Sequence, residues 1–179
     1  MKRTAILTSL TALSTLAACG LYGQMVDNSS LPEPVRVPAG QMQSMFTSAV
    51  GELTYECREK KDMAGAYEWA FVGPMATLRN RAGEKVGTYY AGPTWESLDG
   101  SKVTGKQQAV APGMAGAIPL QLVKANPATG QGAMVGTSYI QRLNTKGGVA
   151  PTLACGMGEK GQRQTVAYSA DYVFYKPAM

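Results

Sequence analysis

TVAYSADYVFYK, residues 165–176, decides the fold class. Val166, Tyr168, Ala170, Tyr172 and Phe174 fall on one side of an extended chain, and Ala167, Ser169 and Asp171 on the other. A period of two, carried by aromatic and β-branched residues, is the pattern of a half-buried strand. The alternation recurs upstream. In GELTYEC (51–57), Leu53, Tyr55 and Cys57 alternate with Thr54 and Glu56, which directs Cys57 inward. In IPLQLV (118–123), Ile118, Leu120 and Leu122 alternate with Pro119 and Gln121. AYEWAFV (66–72), GTYYA (87–91), SKVTG (101–105) and the long GAMVGTSYIQRL (132–143) complete the set of expected strands.

Turn signals separate these segments at short intervals: KKDMAG, NRAGEK, LDGSK, PATGQG and TKGGVAP. There is no internal repeat and no alternation of strands with helices. The expectation is a single all-β domain, an antiparallel β-sandwich or a partly closed β-barrel. QMQSMFTSAV (41–50) leaves two readings open. Met42, Met45, Phe46, Ala49 and Val50 have helical spacing, and an irregular first strand fits equally well.

The N-terminus reads MKRTAILTSLTALSTLAACG. Lys2 and Arg3 precede an apolar run from Ala5 to Ala18, too short to span a bilayer as a stable helix, which is the layout of an export signal. Leu16-Ala17-Ala18-Cys19 resembles the bacterial lipobox, in which cleavage precedes a lipidated cysteine. Gly20, rather than aspartate, after that cysteine resembles lipoproteins sent to the outer membrane. Residues 1–18 are therefore expected to be a lipoprotein signal peptide, 19–38 a lipidated tether rich in proline and small polar residues, and 39–179 the β domain. The expected product is periplasmic and lipid-anchored through Cys19, with the bilayer as one partner and an unknown envelope ligand or protein as another.

The formal charge of the 179-residue chain is +5, and loss of Lys2 and Arg3 reduces it to +3. The charges are interspersed and form no basic cluster, so nucleic acid is not an expected partner. With Cys19 assigned to lipid, Cys57 and Cys155 remain, in an oxidising compartment, with one possible pairing. Two buried free thiols are the alternative.

The chain has no histidine. That removes Ser-His-Asp and Cys-His nucleophile arrangements, histidine metal sites and the commonest general base near neutral pH. No catalytic residue, cofactor or metal site is assigned. Gly156-Met157-Gly158-Glu159-Lys160-Gly161 spells a dinucleotide fingerprint but leads into a strand pattern, so it reads as a turn.

The densest chemistry lies in YYAGPTWESLDGSK (89–102). Tyr90, Trp95 and Glu96, with Arg142 from a later strand, are the ligand-binding candidates, because amphipathic aromatics beside charged tips are common at binding surfaces. A competing reading uses Glu96 and Asp99 as paired carboxylates acting on glycans or small carbonyl compounds, with Trp95 as a sugar platform. A purely structural envelope protein is the third.

The ordered set Tyr55-Glu56-Cys57, Trp69-Ala70-Phe71, Gly92-Pro93-Thr94-Trp95-Glu96 with Asp99-Gly100-Ser101, Gln141-Arg142, 145–151, Cys155 and Tyr172-Val173-Phe174-Tyr175 resembles the domain-of-unknown-function 3455 family of exported bacterial and fungal proteins. The resemblance implies an exported single domain, supports the Cys57–Cys155 pair and supplies no activity. Members often carry a histidine just before Ala-Gly-Pro-Thr-Trp, where this chain has Thr88-Tyr89-Tyr90, and a tryptophan after Ile-Pro, where it has Leu120.

Overall fold

The computed structural model describes residues 25–178; the expected signal peptide and Cys19 lie outside the described residues. Eight strands follow one another: β1 Gln41–Lys60, β2 Met63–Arg79, β3 Lys85–Tyr90, β4 Thr94–Ser97, β5 Lys102–Ala111, β6 Leu120–Ala125, β7 Tyr139–Gly147 and β8 Arg163–Pro177. Each pairs antiparallel with the next, and β8 returns to pair with β1 from Gln41↔Pro177 to Glu56↔Arg163. The all-β expectation holds. Of the two arrangements considered, the sheet closes on itself into a single irregular ring, in which β2 pairs with β3 only over 75–79 and β5 with β4 only over 102–104.

Closure gives every strand an inner and an outer face. The inner face is filled by an aromatic column. Trp95 stacks on Tyr89 with centroids 4.8 Å apart, and Tyr172 and Phe174 meet its ring edge-on at 5.4 and 6.4 Å. Trp95, Tyr172 and Phe174 are completely buried. The Tyr168 and Tyr172 hydroxyls bond to each other at 2.9 Å, which satisfies two polar groups inside the ring.

The outer face is not uniformly wet. Residues 25–38, expected as part of the tether, run along the outside of the ring as a strap that bears two 3-10 turns, Asn28–Ser30 and Glu33–Val35. Val35 and Val37 are buried against Ala111, Leu122, Leu143, Val173 and Tyr175. Each such burial stabilises the folded chain by about 1.5–3 kcal/mol relative to exposure. A polar chain fixes the strap in register. Tyr175 donates to Gln141 Oε1 at 2.8 Å, and Gln141 Nε2 donates to Val35 O at 2.7 Å and to Asn28 Oδ1 at 3.0 Å. Asn28 in turn exchanges hydrogen bonds with the backbone of Val37. Residues 26–37, within the stretch expected as a tether, thus pack against the ring.

The strap also explains the ambiguous first strand. Residues 41–50 are extended, with Met45, Thr47 and Ala49 turned into the ring and Phe46 turned out under the strap. The strap covers Phe46 on the outer face, while outward Val50 stays 58% exposed, so apolar residues occupy both faces and the period of two is lost. The expected strand over 132–143 is shorter than its sequence suggests. Residues 126–138 form a loop in which Gly132 and Gly136 take positive φ values of 140° and 78°. Its Met134 is buried in the inner core and stoppers the end of the ring where β1 begins.

At the opposite end, a disulfide joins Cys57 of β1 to Cys155 of the β7–β8 connection, with 5.6 Å between Cα atoms. Cys57 N donates to Gln162 O, Gly161 N donates to Cys57 O, and Trp69 Nε1 donates to Leu153 O, so the connection is held along its length. The Gly156–Gly161 string is a turn with a 3-10 segment at Met157–Glu159, as expected. The bridge closes a sequence separation of 98 residues. Replacing both Cys57 and Cys155 by serine is expected to lower unfolding free energy by about 4 kcal/mol in denaturant titration; an unchanged midpoint would contradict a structural role.

Candidate ligand-binding site

Alternation around a closed ring assigns the candidate residues to different places. Tyr89 and Trp95 are cross-strand partners on the inner face, whereas their neighbours Tyr90 and Glu96 face outward. Glu96 accepts from the Tyr90 hydroxyl at 2.8 Å and pairs with Lys102 Nζ at 3.2 Å. The Tyr90 hydrogen bond, then the Lys102 ammonium, hold its carboxyl below the usual range. Trp95 lies wholly in the core, and its Nε1 meets no acceptor among the described residues. Tyr90, Trp95 and Glu96 therefore share no surface. The outward trio is a self-satisfied cluster on the wall.

Asp99 belongs to the stoppered end. It accepts from Ser101 Oγ at 2.6 Å, Ser101 N at 2.9 Å and Ala133 N at 2.8 Å, and Ser101 Oγ accepts from Met134 N at 3.1 Å. The turn read from LDGSK is thus also a clamp on the 126–138 loop. Gly132 approaches the Asp99 carboxylate so closely that no side chain fits there. These bonds, the Ser101 hydroxyl first, lower the Asp99 pKa to about 2. Glu96 and Asp99 are both held as carboxylates by their own partners, and neither is disposed as a general acid.

Arg142 stands apart. On β7, Ile140 packs in the inner core while Gln141 and Leu143 lie under the strap, so Arg142 takes the inward phase. Its Nε and Nη2 donate to Pro119 O at 3.2 and 3.0 Å. No carboxylate of the described residues pairs with it. It lines a cavity of about 230 Å³ at the disulfide-bearing end of the ring. Two side chains from adjacent strands extend its wall: Gln121 of β6, its cross-strand partner, and Gln107 of β5, joined by a Gln121 Nε2 to Gln107 Oε1 bond of 2.6 Å.

The remaining wall is aromatic. Tyr55 of β1, Phe71 of β2, Tyr89 of β3 and Tyr168 of β8 line the same cavity. Tyr55 and Phe71 meet edge-on at 5.7 Å, and Phe71 is 54% exposed at the mouth. The β-bulge between Thr54 and Tyr55, opposite which Val72 is left unpaired, is what turns Phe71 to the inner side. Tyr55 donates to Gly148 O at 2.6 Å. Gly148 itself sits at φ 79°, where a Cβ would press to 2.9 Å from Leu53 and 3.2 Å from Ile118. Burial raises the pKa values of Tyr55, Tyr89 and Tyr168, against a smaller opposing pull from Arg142. All three phenols stay protonated at neutral pH. The cavity thus has a neutral aromatic side and a polar side that carries one cation.

A second depression, about 390 Å³, lies between the strap and the β5–β6 connection, beside Val26, Phe46, Met114 and Leu143. Its one charged lining group, Asp171, accepts from Asn144 Nδ2 at 2.6 Å.

Of the four binding candidates in the sequence, only Arg142 reaches the cavity. Tyr89, in the aromatic stretch 89–102, reaches it too, whereas Gln107, Gln121, Tyr55, Phe71 and Tyr168 stand in no binding motif of the sequence. The signal that reveals them is polarity out of phase. In IPLQLV the apolar Leu120 and Leu122 face the strap and Gln121 faces in, the reverse of the usual rule.

A family model described as protein of unknown function (DUF3455) matches residues 38–176. The chain belongs to this family. No curated protein and no solved structure matches it. The DUF3455 match begins at the end of the strap and spans all eight strands, so the ring, the disulfide and the Arg142 cavity all fall within it.

Asp99 provides a pH test of the clamp at the closed end. Its folded pKa of about 2 lies below its ordinary 3.8, so its contribution is complete above about pH 4 and fades as pH falls through 2. The advantage of wild type over Asp99→Asn in denaturant midpoint is expected to be full above pH 4 and to shrink towards pH 2. Glu56, held down to about 2 by Arg58 and Arg163, titrates alike in both proteins and cancels. A pH-independent difference would contradict the clamp.

Proposed function

We propose that this DUF3455 protein is a non-catalytic binding protein of the bacterial cell envelope, anchored through lipidated Cys19, which receives a small ligand in the mouth of its ring. Arg142 carries the reading. Its guanidinium lines the mouth with only a backbone carbonyl for a protein partner among the described residues, which leaves N–H donors available to a ligand. Concave sites with mostly apolar walls and a few convergent polar groups are the usual form of small-molecule sites. The exposed Phe71 at the rim and the Gln107–Gln121 pair beside Arg142 fit that form. The carboxylates Glu96 and Asp99 do not favour an enzyme, since each is engaged elsewhere and outside the cavity.

An uncharged fluorescent probe, N-phenyl-1-naphthylamine, tests the binding claim. It is expected to show saturable one-to-one enhancement, and Phe71→Ala, a change at an already exposed ring, is expected to weaken it about fivefold. Non-saturable enhancement, or indifference to Phe71→Ala, would overturn the binding reading. In cells labelled with palmitate, the protein should carry label in wild type and none in Cys19→Ser; a labelled variant would refute the anchor.

A further inference from the structure

The charge balance of the mouth narrows the ligand class. Resting on the binding reading above, we infer that the ligand is a small amphiphilic monoanion, a flat apolar body bearing one carboxylate, which Arg142 receives while the aromatic wall covers the body. The ion pairs seen among the described residues use Arg58, Arg163, Lys102 and Lys160, and Arg142 is in none of them. Two of its five N–H donors are spent on Pro119 O, which leaves three without a protein acceptor among the described residues. The phenols opposite are neutral at physiological pH and supply no counter-charge. A negative group must therefore come from the ligand if the guanidinium is to be paired.

The number of charges follows from the same wall. Arg142 is the single cationic side chain lining the cavity, and no helix N-terminus points there. A dianionic phosphate would bring more charge than one guanidinium neutralises. A carboxylate matches it, because the planar fork can donate two parallel hydrogen bonds to two oxygens. The Gln121-to-Gln107 bond leaves the Gln107 amide N–H groups free to donate to the same carboxylate. A cationic ligand is repelled, and a neutral one leaves the fork unpaired. The body is constrained as well. Tyr55, Phe71, Tyr89 and Tyr168 present rings, and Leu53 and Ile118 present aliphatic side chains, in a space of about 230 Å³. That suits a mono- or bicyclic aromatic system better than a sugar, whose hydroxyls would find few partners on this side.

The test is a competition against N-phenyl-1-naphthylamine with a matched pair of competitors, 2-naphthoate and 2-naphthamide, which share shape and differ in charge. The carboxylate is expected to displace the probe at a concentration about tenfold lower than the amide. Arg142→Gln should abolish the gap, and Arg142→Lys, which keeps the charge but not the fork, should keep only part of it. Added salt should narrow the gap in wild type, which gives a second readout if Arg142→Gln fails to fold. If the probe binds and the two competitors displace it equally, or the amide does so better, the anion class is overturned and the binding reading stands. If the probe itself does not bind, the binding reading falls and this inference falls with it. A gap that persists in a folded Arg142→Gln assigns the anion to another cation and overturns the role of Arg142.

Discussion

The antiparallel pairing of β8 with β1 is the constraint on which everything else depends. It turns a meander with two exposed edges into a ring, and only a ring has an inside. Once the ring closes, inward residues of β3, β4 and β8 meet across it. Tyr89, Trp95, Tyr172 and Phe174 then pack as one column instead of lying along separate strands. The two ends differ in what fills them. Met134 and the Asp99–Ser101 clamp stopper one end. The other is held by the Cys57–Cys155 bridge but retains a cavity, because Gln107, Gln121 and Arg142 stand there in place of bulky apolar groups.

The strap makes that substitution tolerable. By covering the outside of β5, β6, β7 and β8, it lets Leu122, Leu143 and Val173 bury outward. The inner positions of β6 and β7 are thereby released from supplying all the apolar area, and polar side chains can occupy them. Gln141, although on the outer face, is fully buried because Tyr175, Asn28 and Val35 together satisfy its amide. A buried polar network of this kind fixes where the strap lies rather than adding much net stability.

This arrangement also explains what was legible in the sequence. The strand at 165–176 was plain because its central part has one wet face, and Val166, Tyr168 and Ala170 follow the period of two. Cys57 was correctly placed inward for the same reason. Where the strap covers the outer face, the pattern fails: 41–50 lost its period, and Leu120 and Leu122 pointed to a core on the wrong side. Trp95 was conspicuous for its chemistry and is a core residue; Arg142 was a lesser candidate and is the one that enters the cavity. Proximity in sequence joined Tyr90, Trp95 and Glu96, but adjacent residues of a strand face opposite ways. Sequence reasoning could not know which side was the inside until the strands β5, β6 and β7 were placed beside one another.

The central claim is that the mouth of the ring, and no other surface, receives an anionic ligand on Arg142. The most direct measurement is a titration of the protein with 2-naphthoate, followed by the arginine Nε–H and tyrosine ring resonances in solution NMR. The account predicts that Arg142 and the rings of Tyr55 and Tyr168 shift together on a single binding curve, while outward Tyr90 stays unmoved. Shifts centred on Tyr90, or an Arg142 signal unmoved at saturation, would contradict it.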